Sequence, residues 1–534
     1  MERLAAACDG IVRWGLVALV AFTPLAFGTV EAWSVAIMKW GIVTLILFAV
    51  GGRALGRESG RAPLLPGTGL VLPLVLFLLL CTLQMVPIPG PWLQAASPGS
   101  ARAYASAAPG SLNEGALAAR HFDSMVEQIG LEPMPARRPI SVNPEATAAR
   151  LELLAVFFGL FFLIAAWADR RERILFLLGS ITIVGFLVAL LGIVQYLTWN
   201  GRIYWTRRVP RDTAFGPFVN HNHFAGYVEM VIPVALSMAF FLLDARRRMV
   251  PGEDMEDPED AEGAGELTAA SGEESFASRW AQSALAFFAS VILVVSLFLS
   301  RSRGGILSAL LSALVLFLLV RRRIPSRFLV WTSAIVLPAL TLLFTVWVGA
   351  DLLKHHGTAM QAVEQEASLH SRWLVWEAAA RRLPLAGWTG FGIGTFEDSF
   401  ARYVPLGGAS RWDRAHNDYL QLAWETGLVG ALLIVWGALV YARRYLWPAL
   451  RARAHPLDLF RLGLAVAVLS LAFHSIVDFN LQIGSNGFLF ALLAGLLVAT
   501  ARLVARDETS AADTEGATDA VTPTLRPQEQ GRIV

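Results

Sequence analysis

The sequence predicts an all-α polytopic membrane protein of about twelve transmembrane helices, with a long outward-facing loop between helices nine and ten. Three observations carry this. The chain of 534 residues is 55% hydrophobic and only 16% charged, and its mean hydropathy of +0.54 is too high for an ordinary soluble enzyme. Apolar runs long enough to cross roughly 30 Å of hydrocarbon recur along the whole chain. These runs are continuous rather than alternating, which excludes a transmembrane barrel. They must be helices, because unpaired backbone amides cannot face lipid.

The predicted spans are 13–30, 34–51, 68–87, 149–167, 173–196, 222–243, 281–299, 304–320, 328–349, 420–441, 460–477 and 485–503. Alternate short loops hold Arg53, Arg57 and Arg61, then Arg170, Arg171 and Arg173, then Arg246 to Arg248, then Arg321 to Arg323, then Arg443, Arg444, Arg451 and Arg453. The positive-inside rule puts these on the cytoplasmic side, and an even span count puts both termini there. Segments 88–148, 198–221 and 350–419 then face outward, into a periplasm if the cell has two membranes.

Residues 1–503 read as one transmembrane domain. The first span lacks a small-residue cleavage site and reads as a retained helix. Cys8 and Cys81 fall on different levels of the predicted bundle and do not form a disulfide framework. The outer loop 88–148 is rich in Ala, Ser, Pro and Gly and names no chemistry. The loop 244–280 contains an acidic stretch, 251–275, without the apolar content to fold, and reads as a disordered cytoplasmic linker. The tail 504–534 has similar composition and reads the same way.

The outer loops break the charge rule. Arg202, Arg207, Arg208 and Arg211 crowd the second, and Arg372, Arg381, Arg382, Arg402, Arg411 and Arg414 lie in the third. Arginine placed against the topological bias needs another use, and binding an anion is the simplest. Within the third loop, Trp373, Trp376, Ala380 and Leu383 recur at helical spacing, which predicts a helix over 371–385 lying in the outer interface with its indoles at headgroup depth. The run Gly387, Gly390, Gly392, Gly394 then ends it in a tight turn.

His416 begins the tenth span. An imidazole titrates near neutrality and can accept a proton from an attacking hydroxyl; the bland alternative is an interfacial histidine that only packs. Arg372 either binds a phosphate through charge-assisted bidentate bonds or snorkels to lipid headgroups. A diphosphate leaving group gains negative charge as its bond to sugar breaks, so a fixed cation there stabilises the transition state more than the ground state. Arg382 lies in the same loop. Arg303 sits in the short outer hairpin Ser300-Arg301-Ser302-Arg303-Gly304-Gly305, close to the bundle mouth.

The run Asn220-His221-Asn222-His223 precedes span six. A zinc site needs a third ligand at proper spacing, which no cluster supplies, so the run reads as substrate hydrogen bonding rather than metal binding. Arg207, Arg208 and Arg211 lie just ahead and meet either the same anion or anionic headgroups. His474 and Asp478 are four apart near the outer end of span eleven, on one helix face, as a functional or structural pair. Lys39 is a lone basic group in span two, explained by snorkelling or an internal partner.

Taken together, the chain resembles the O-antigen ligase and O-antigen polymerase superfamily. The ligase motif of His, then Asn, Ser or Gln, nine arbitrary residues, Gly, two arbitrary residues and a small or aromatic residue matches His416, Asn417, Gly427 and Gly430. Ser302-Arg303-Gly304, Arg372 followed by Trp376, and the segment from His474-Ser475 to Asp478-Phe479 also match. The resemblance implies a metal-independent glycosyltransferase in the bacterial inner membrane, multi-pass, with its active site facing the periplasm. It implies a glycan donor carried on undecaprenyl diphosphate, with no cofactor and no nucleic-acid partner. It gives His416 the role of activating an acceptor hydroxyl, and Arg372, with Arg303, that of holding the donor diphosphate; Asn417 belongs to the same motif. The acceptor stays open between lipid A-core, a second lipid-linked glycan and a protein hydroxyl, which would make the chain a ligase, a polymerase or a protein O-glycosyltransferase. Outside the superfamily, the composition also fits a non-enzymatic transporter of lipid-linked sugar.

Overall fold

The computed structural model describes residues 1–55, 67–107, 137–209, 213–247, 265–320, 372–403, 412–451, 455 and 457–521. Its long elements are α1 (Glu2–Leu25), α2 (Ala32–Leu55), α3 (Val71–Leu83), α4 (Gly90–Ala96), α5 (Pro98–Ala107), α6 (Pro144–Trp167), α7 (Arg171–Leu197), α8 (His221–Arg247), α9 (Gly265–Leu299) and α10 (Arg303–Val320). They continue with α11 (372–382), α12 (Phe396–Phe400), α13 (Asp418–Tyr441), α14 (Trp447–Arg451), α15 (Asp458–His474) and α16 (Gly484–Val521). Two short antiparallel ladders pair β1 (Ile88–Pro89) with β2 (Arg137–Arg138), and β3 (Arg202–Ile203) with β4 (Arg207–Arg208).

Among the described residues, 8 helices are long and apolar enough to cross a membrane, and α3 and the described part of α10 are shorter apolar helices. The chain is an all-α polytopic membrane protein. The predicted span 328–349 lies outside the described residues, as do Arg211, Arg411 and Arg321 to Arg323. The apolar windows of α8 and α16 are 67% and 72% buried while those of α1 and α2 are 22% buried, so the core lies between α8, α15 and α16 and the first two helices form the periphery.

Several predicted boundaries move for local reasons. The first helix covers Glu2–Leu25 rather than 13–30, because Phe27, Gly28 and Thr29 take positive φ and the Thr29 hydroxyl donates to Thr23 O, 2.7 Å. The eleventh span ends at His474 instead of 477. In the acidic loop, α9 begins at Gly265, and 248–264 lies outside the described residues. Beyond residue 504, α16 continues to Val521.

The turns sort to two ends of the bundle. At one, Arg53 donates to Ala166 O, 2.8 Å, Arg502 to Ala165 O, 2.9 Å, and Arg173 pairs with Asp9, 2.6 Å, and Asp169, 2.8 Å. At the other, the Ser485 amide donates to Gly28 O, 3.1 Å, and the Asp418 amide to Ser475 O, 2.9 Å, so the α1–α2, α12–α13 and α15–α16 connections meet there. Lys39 has an internal partner, Glu152 at 2.6 Å, and Cys8 and Cys81 are both free.

Candidate functional site

The site is built on a break in α13. Gly427 has φ 64° and ψ −164°, outside the helical region and accessible chiefly to glycine. The break frees backbone groups that lipid cannot satisfy. A Gly-rich turn supplies them: the amides of Phe391 and Gly392 donate to Trp424 O, 3.3 Å, and Glu425 O, 3.0 Å, while those of Leu428 and Val429 donate to Gly387 O, 3.1 Å, and Trp388 O, 3.0 Å. Gly387, Gly390, Gly392 and Gly394 all have positive φ, so the predicted tight turn is a mould for the interrupted helix.

Side chains lock this mould. Glu425 accepts from the amides of Gly394, 2.8 Å, and Phe396, 3.2 Å, and from Gln421 Nε2, 2.9 Å. Gln84, at the end of α3, donates to Thr389 O, 2.6 Å, and Glu425 O, 2.9 Å, and accepts from Ile393 N, 3.0 Å. The loop that named no chemistry buttresses it from outside: Ala96 O accepts from the amides of Trp388, 2.9 Å, and Thr389, 3.2 Å. Beneath, Phe391 stacks on Trp424 at 4.7 Å, in a small core shared with Val375, Ala378, Ala379, Phe396 and Phe400.

That small core seats α11, a helix where the tryptophan spacing predicted one. Its buried face is Val375, Ala378 and Ala379, leaving Trp373 61% exposed on the opposite side. Trp376 Nε1 donates to Ala415 O, 2.8 Å, and Ala415 N donates to Gln421 Oε1, 3.0 Å. These two bonds grip the residue before His416. Asn417 is the N-cap of α13, its side chain accepting from Leu420 N, 2.9 Å. His416 therefore stands just ahead of the helix, with φ 49°.

His416 and Arg372 converge on one carboxylate. His416 Nδ1 lies 3.2 Å from Asp478 Oδ1, and Arg372 Nη2 lies 4.0 Å from Asp478 Oδ2 while Arg372 Nη1 donates to Val477 O, 2.9 Å. The Phe479 amide also donates to Asp478 Oδ1, 2.9 Å. Burial alone would raise the Asp478 carboxyl, but the His416 hydrogen bond and the His416 and Arg372 charges outweigh it and hold it below the usual carboxylate range. An ionised carboxylate only accepts, so Nδ1 of His416 carries the proton and Nε2 presents its lone pair. The His416 ring is fixed edge-on between Phe479, 4.8 Å, and Trp412, 5.8 Å.

The expected His474 and Asp478 pair on one helix face is corrected. The helix ends at His474, so the two diverge: Asp478 turns to His416, and His474 Nδ1 meets Glu229 Oε1 of α8 at 3.2 Å, both side chains buried. Glu229 stands in the sequence as a lone acid in an apolar run. The Ser302-Arg303-Gly304 turn packs here. A Cβ on Gly304 would lie 3.0 Å from His474 Nε2, so the glycine keeps the start of α10, with Arg303, in close packing with His474.

The remaining predicted residues spread out. His221 opens α8, and its Nδ1 is 3.0 Å from Thr213 O; Asn222 follows, with its amide donating to Asn220 Oδ1, 2.8 Å. His223 points to the other side and touches Phe479 edge-on at 5.1 Å. Arg207 pairs with Glu31 at 2.5 Å and lies over Phe27, 4.2 Å, and Arg208 is exposed. Arg382 lies over Tyr403 at 5.3 Å and donates to Ala378 O, 3.2 Å. Among the described residues, no group of three or more His, Cys, Asp or Glu is placed to hold a metal ion.

A helical bundle with an imidazole, a buried carboxylate and a guanidinium clustered at one end defines a polytopic membrane protein with a polar site beside its apolar spans. Residues 288–435 match the family model described as O-antigen ligase, so this stretch of the chain is similar to the O-antigen ligase superfamily. The match takes in Arg303, Arg372, His416, Gly427 and Gly430, while Asp478 and the 220–223 run lie outside it. No curated protein matches the chain.

Proposed function

We propose that the chain transfers a glycan from undecaprenyl diphosphate to an acceptor hydroxyl at the outer face of the bacterial inner membrane, as an O-antigen ligase does, without a metal ion. The observation that carries this is the shared Asp478 carboxylate, which ties a proton acceptor to a fixed cation. The acceptor hydroxyl binds His416 Nε2, and its oxygen attacks the anomeric carbon of the donor sugar. The bond from that carbon to the diphosphate oxygen breaks on the opposite face, inverting the anomeric centre. The leaving diphosphate keeps the bonding electrons, and Arg372 neutralises the charge that develops. The proton ends on His416, whose imidazolium Asp478 stabilises.

Arg303, at the first turn of α10, is proposed as a second anion contact, and the exposed Arg208 as a further one. Placement contributes much of the rate, since donor and membrane-bound acceptors are tethered to one surface. Lipid A-core as acceptor makes the protein a ligase, a second lipid-linked glycan a polymerase, and a protein hydroxyl a protein O-glycosyltransferase. The break in α13 is the one feature that favours a transporter of the same lipid-linked sugar, since discontinuous helices line transport sites. Here the freed backbone groups are consumed by the 387–394 turn, which favours transfer.

The test is purified protein in detergent with undecaprenyl-diphosphate glycan, candidate acceptors and a chelator. Transfer that is lost in His416→Ala at equal protein abundance supports the proposal. One added block marks a ligase and a ladder marks a polymerase. A requirement for added metal overturns the metal-independent mechanism, and translocation of the lipid without transfer overturns the whole proposal.

A further inference from the structure

Among the described residues four histidines gather at the site end, and three have a hydrogen-bond partner for the ring: His221 the backbone Thr213 O, His416 the Asp478 carboxylate and His474 the Glu229 carboxylate. His223 is 5% exposed, yet neither of its ring nitrogens has a hydrogen-bond partner among the described residues. Two orphaned nitrogens on a buried imidazole are costly, and a folded protein retains such groups only for a reason. The backbone here is not free to relieve them. Asn486 Nδ2 holds His223 O at 2.9 Å, and the His223 amide donates to Asn220 O, 3.1 Å.

Phe479 packs edge-on against the ring. It meets His223 at 5.1 Å and His416 at 4.8 Å, so one half-buried phenyl separates the orphaned imidazole from the proposed base. Asn480, next in sequence, is fully buried, and its Nδ2 is also unpartnered. A neutral imidazole donates one hydrogen bond and accepts one. A phosphate offers only acceptors and would leave half of that capacity unused. A hydroxyl can take either role, so sugar hydroxyls, one at each nitrogen, match it.

Resting on the transfer reading, we propose that His223 binds a hydroxyl of the donor's first sugar, the one bonded to the diphosphate, and that Phe479 screens it when the site is empty. Rotation of the phenyl ring opens the His223 nitrogens beside His416. That hydroxyl then fills the hydrogen bond of one ring nitrogen and a second polar group of the sugar fills the other, so the unpartnered nitrogens become recognition energy in the complex. His223 is thus a specificity-determining residue for the sugar, and Arg372 serves the diphosphate.

The probe is the undecaprenyl-diphosphate glycan that accumulates in cells carrying His416→Ala, followed by short polyprenyl-diphosphate analogues of its first sugar, each lacking one hydroxyl. Wild-type protein should lose about tenfold to a hundredfold in kcat/KM on one analogue. His223→Phe should lose a similar factor on the complete donor and nothing further on that analogue. His223→Gln, which keeps a donor and an acceptor, should recover part of the loss, and Phe479→Ala should retain the preference. Equal penalties for every analogue in wild type and His223→Phe overturn the inference, as does an unchanged preference in His223→Phe, which would mean that ordered water alone fills the site. Absence of His416-dependent transfer in wild type overturns the transfer reading itself, and this inference with it.

Discussion

Replacing Asp478 with Asn removes one charge and keeps the shape. The carboxylate is 2% exposed and serves His416 Nδ1 at 3.2 Å, the Phe479 amide at 2.9 Å and the Arg372 guanidinium at 4.0 Å. A charge-assisted hydrogen bond contributes about 1.5–3 kcal/mol net, which for the His416 bond alone is roughly a tenfold to hundredfold effect on turnover. The 4.0 Å approach to Arg372 is too long for a hydrogen bond and acts through charge, with a gross interaction of about 4 kcal/mol at an effective dielectric of 20, much of it offset by desolvation. The two effects differ in kinetics. Losing imidazole orientation and imidazolium stabilisation lowers kcat, whereas releasing Arg372 to the diphosphate lowers KM or leaves it unchanged. Transfer assays on Asp478→Asn should therefore show kcat down about tenfold to a hundredfold with KM no higher than wild type. Asp478→Ala should lose more and recover partly with added formate. Full turnover in Asp478→Asn, at normal abundance, would refute the orienting role.

Arg372→Lys should retain donor binding better than Arg372→Ala but recover little kcat, since an ammonium cannot make the bidentate bond, as read from the same assay. Glu229→Ala strands the buried His474 and should cost about 3–5 kcal/mol of stability, while replacing both partners with apolar residues of similar volume should restore most of it, measured by thermal unfolding in detergent. The depressed Asp478 carboxyl contributes stability that is present above the unfolded value of about 3.9 and is lost as pH falls through its lower folded value. The stability gap between wild type and Asp478→Asn should accordingly narrow below about pH 4.

The fold class was legible because span-length apolar runs state it directly, and the O-antigen ligase resemblance was legible because its residues are short local motifs. The meeting of the site residues was not. His416 and Asp478 are 62 positions apart and Arg372 and Val477 are 105 apart, and no periodicity encodes a contact of that range. The sequence instead offered a nearer partner for Asp478, His474, on the assumption that the helix continued. The structure ends that helix at His474, and the four-residue spacing loses its meaning. Asn417 and Arg207 show a related gap. Each was nominated for its chemistry, and in the structure Asn417 caps a helix while Arg207 pairs with Glu31.

The same geometry explains why the His-Asn to Gly-x-x-Gly spacing behaves as one unit. Nine residues between Asn417 and Gly427 make a rigid rod of about 15 Å from the imidazole to the helix break. The break receives the 387–394 turn, and that turn continues directly from α11, whose first residue is Arg372. Base and arginine are thus linked through a closed circuit of backbone hydrogen bonds. Gly427→Ala should open it. The new Cβ would lie 2.5 Å from Gly390 N and 2.6 Å from Thr389 N, both backbone atoms that cannot swing aside, at a φ of 64°. Left-handed strain of about 1–2 kcal/mol and overpacking of about 1–3 kcal/mol give a combined cost of roughly 2–5 kcal/mol. Gly179→Ala, a substitution into open space within a helix, should be neutral or slightly stabilising. Since the circuit positions Arg372 relative to His416, Gly427→Ala should lose transfer even at temperatures where it remains folded. A variant that melts like wild type and transfers at the wild-type rate would show that the break does not position the site.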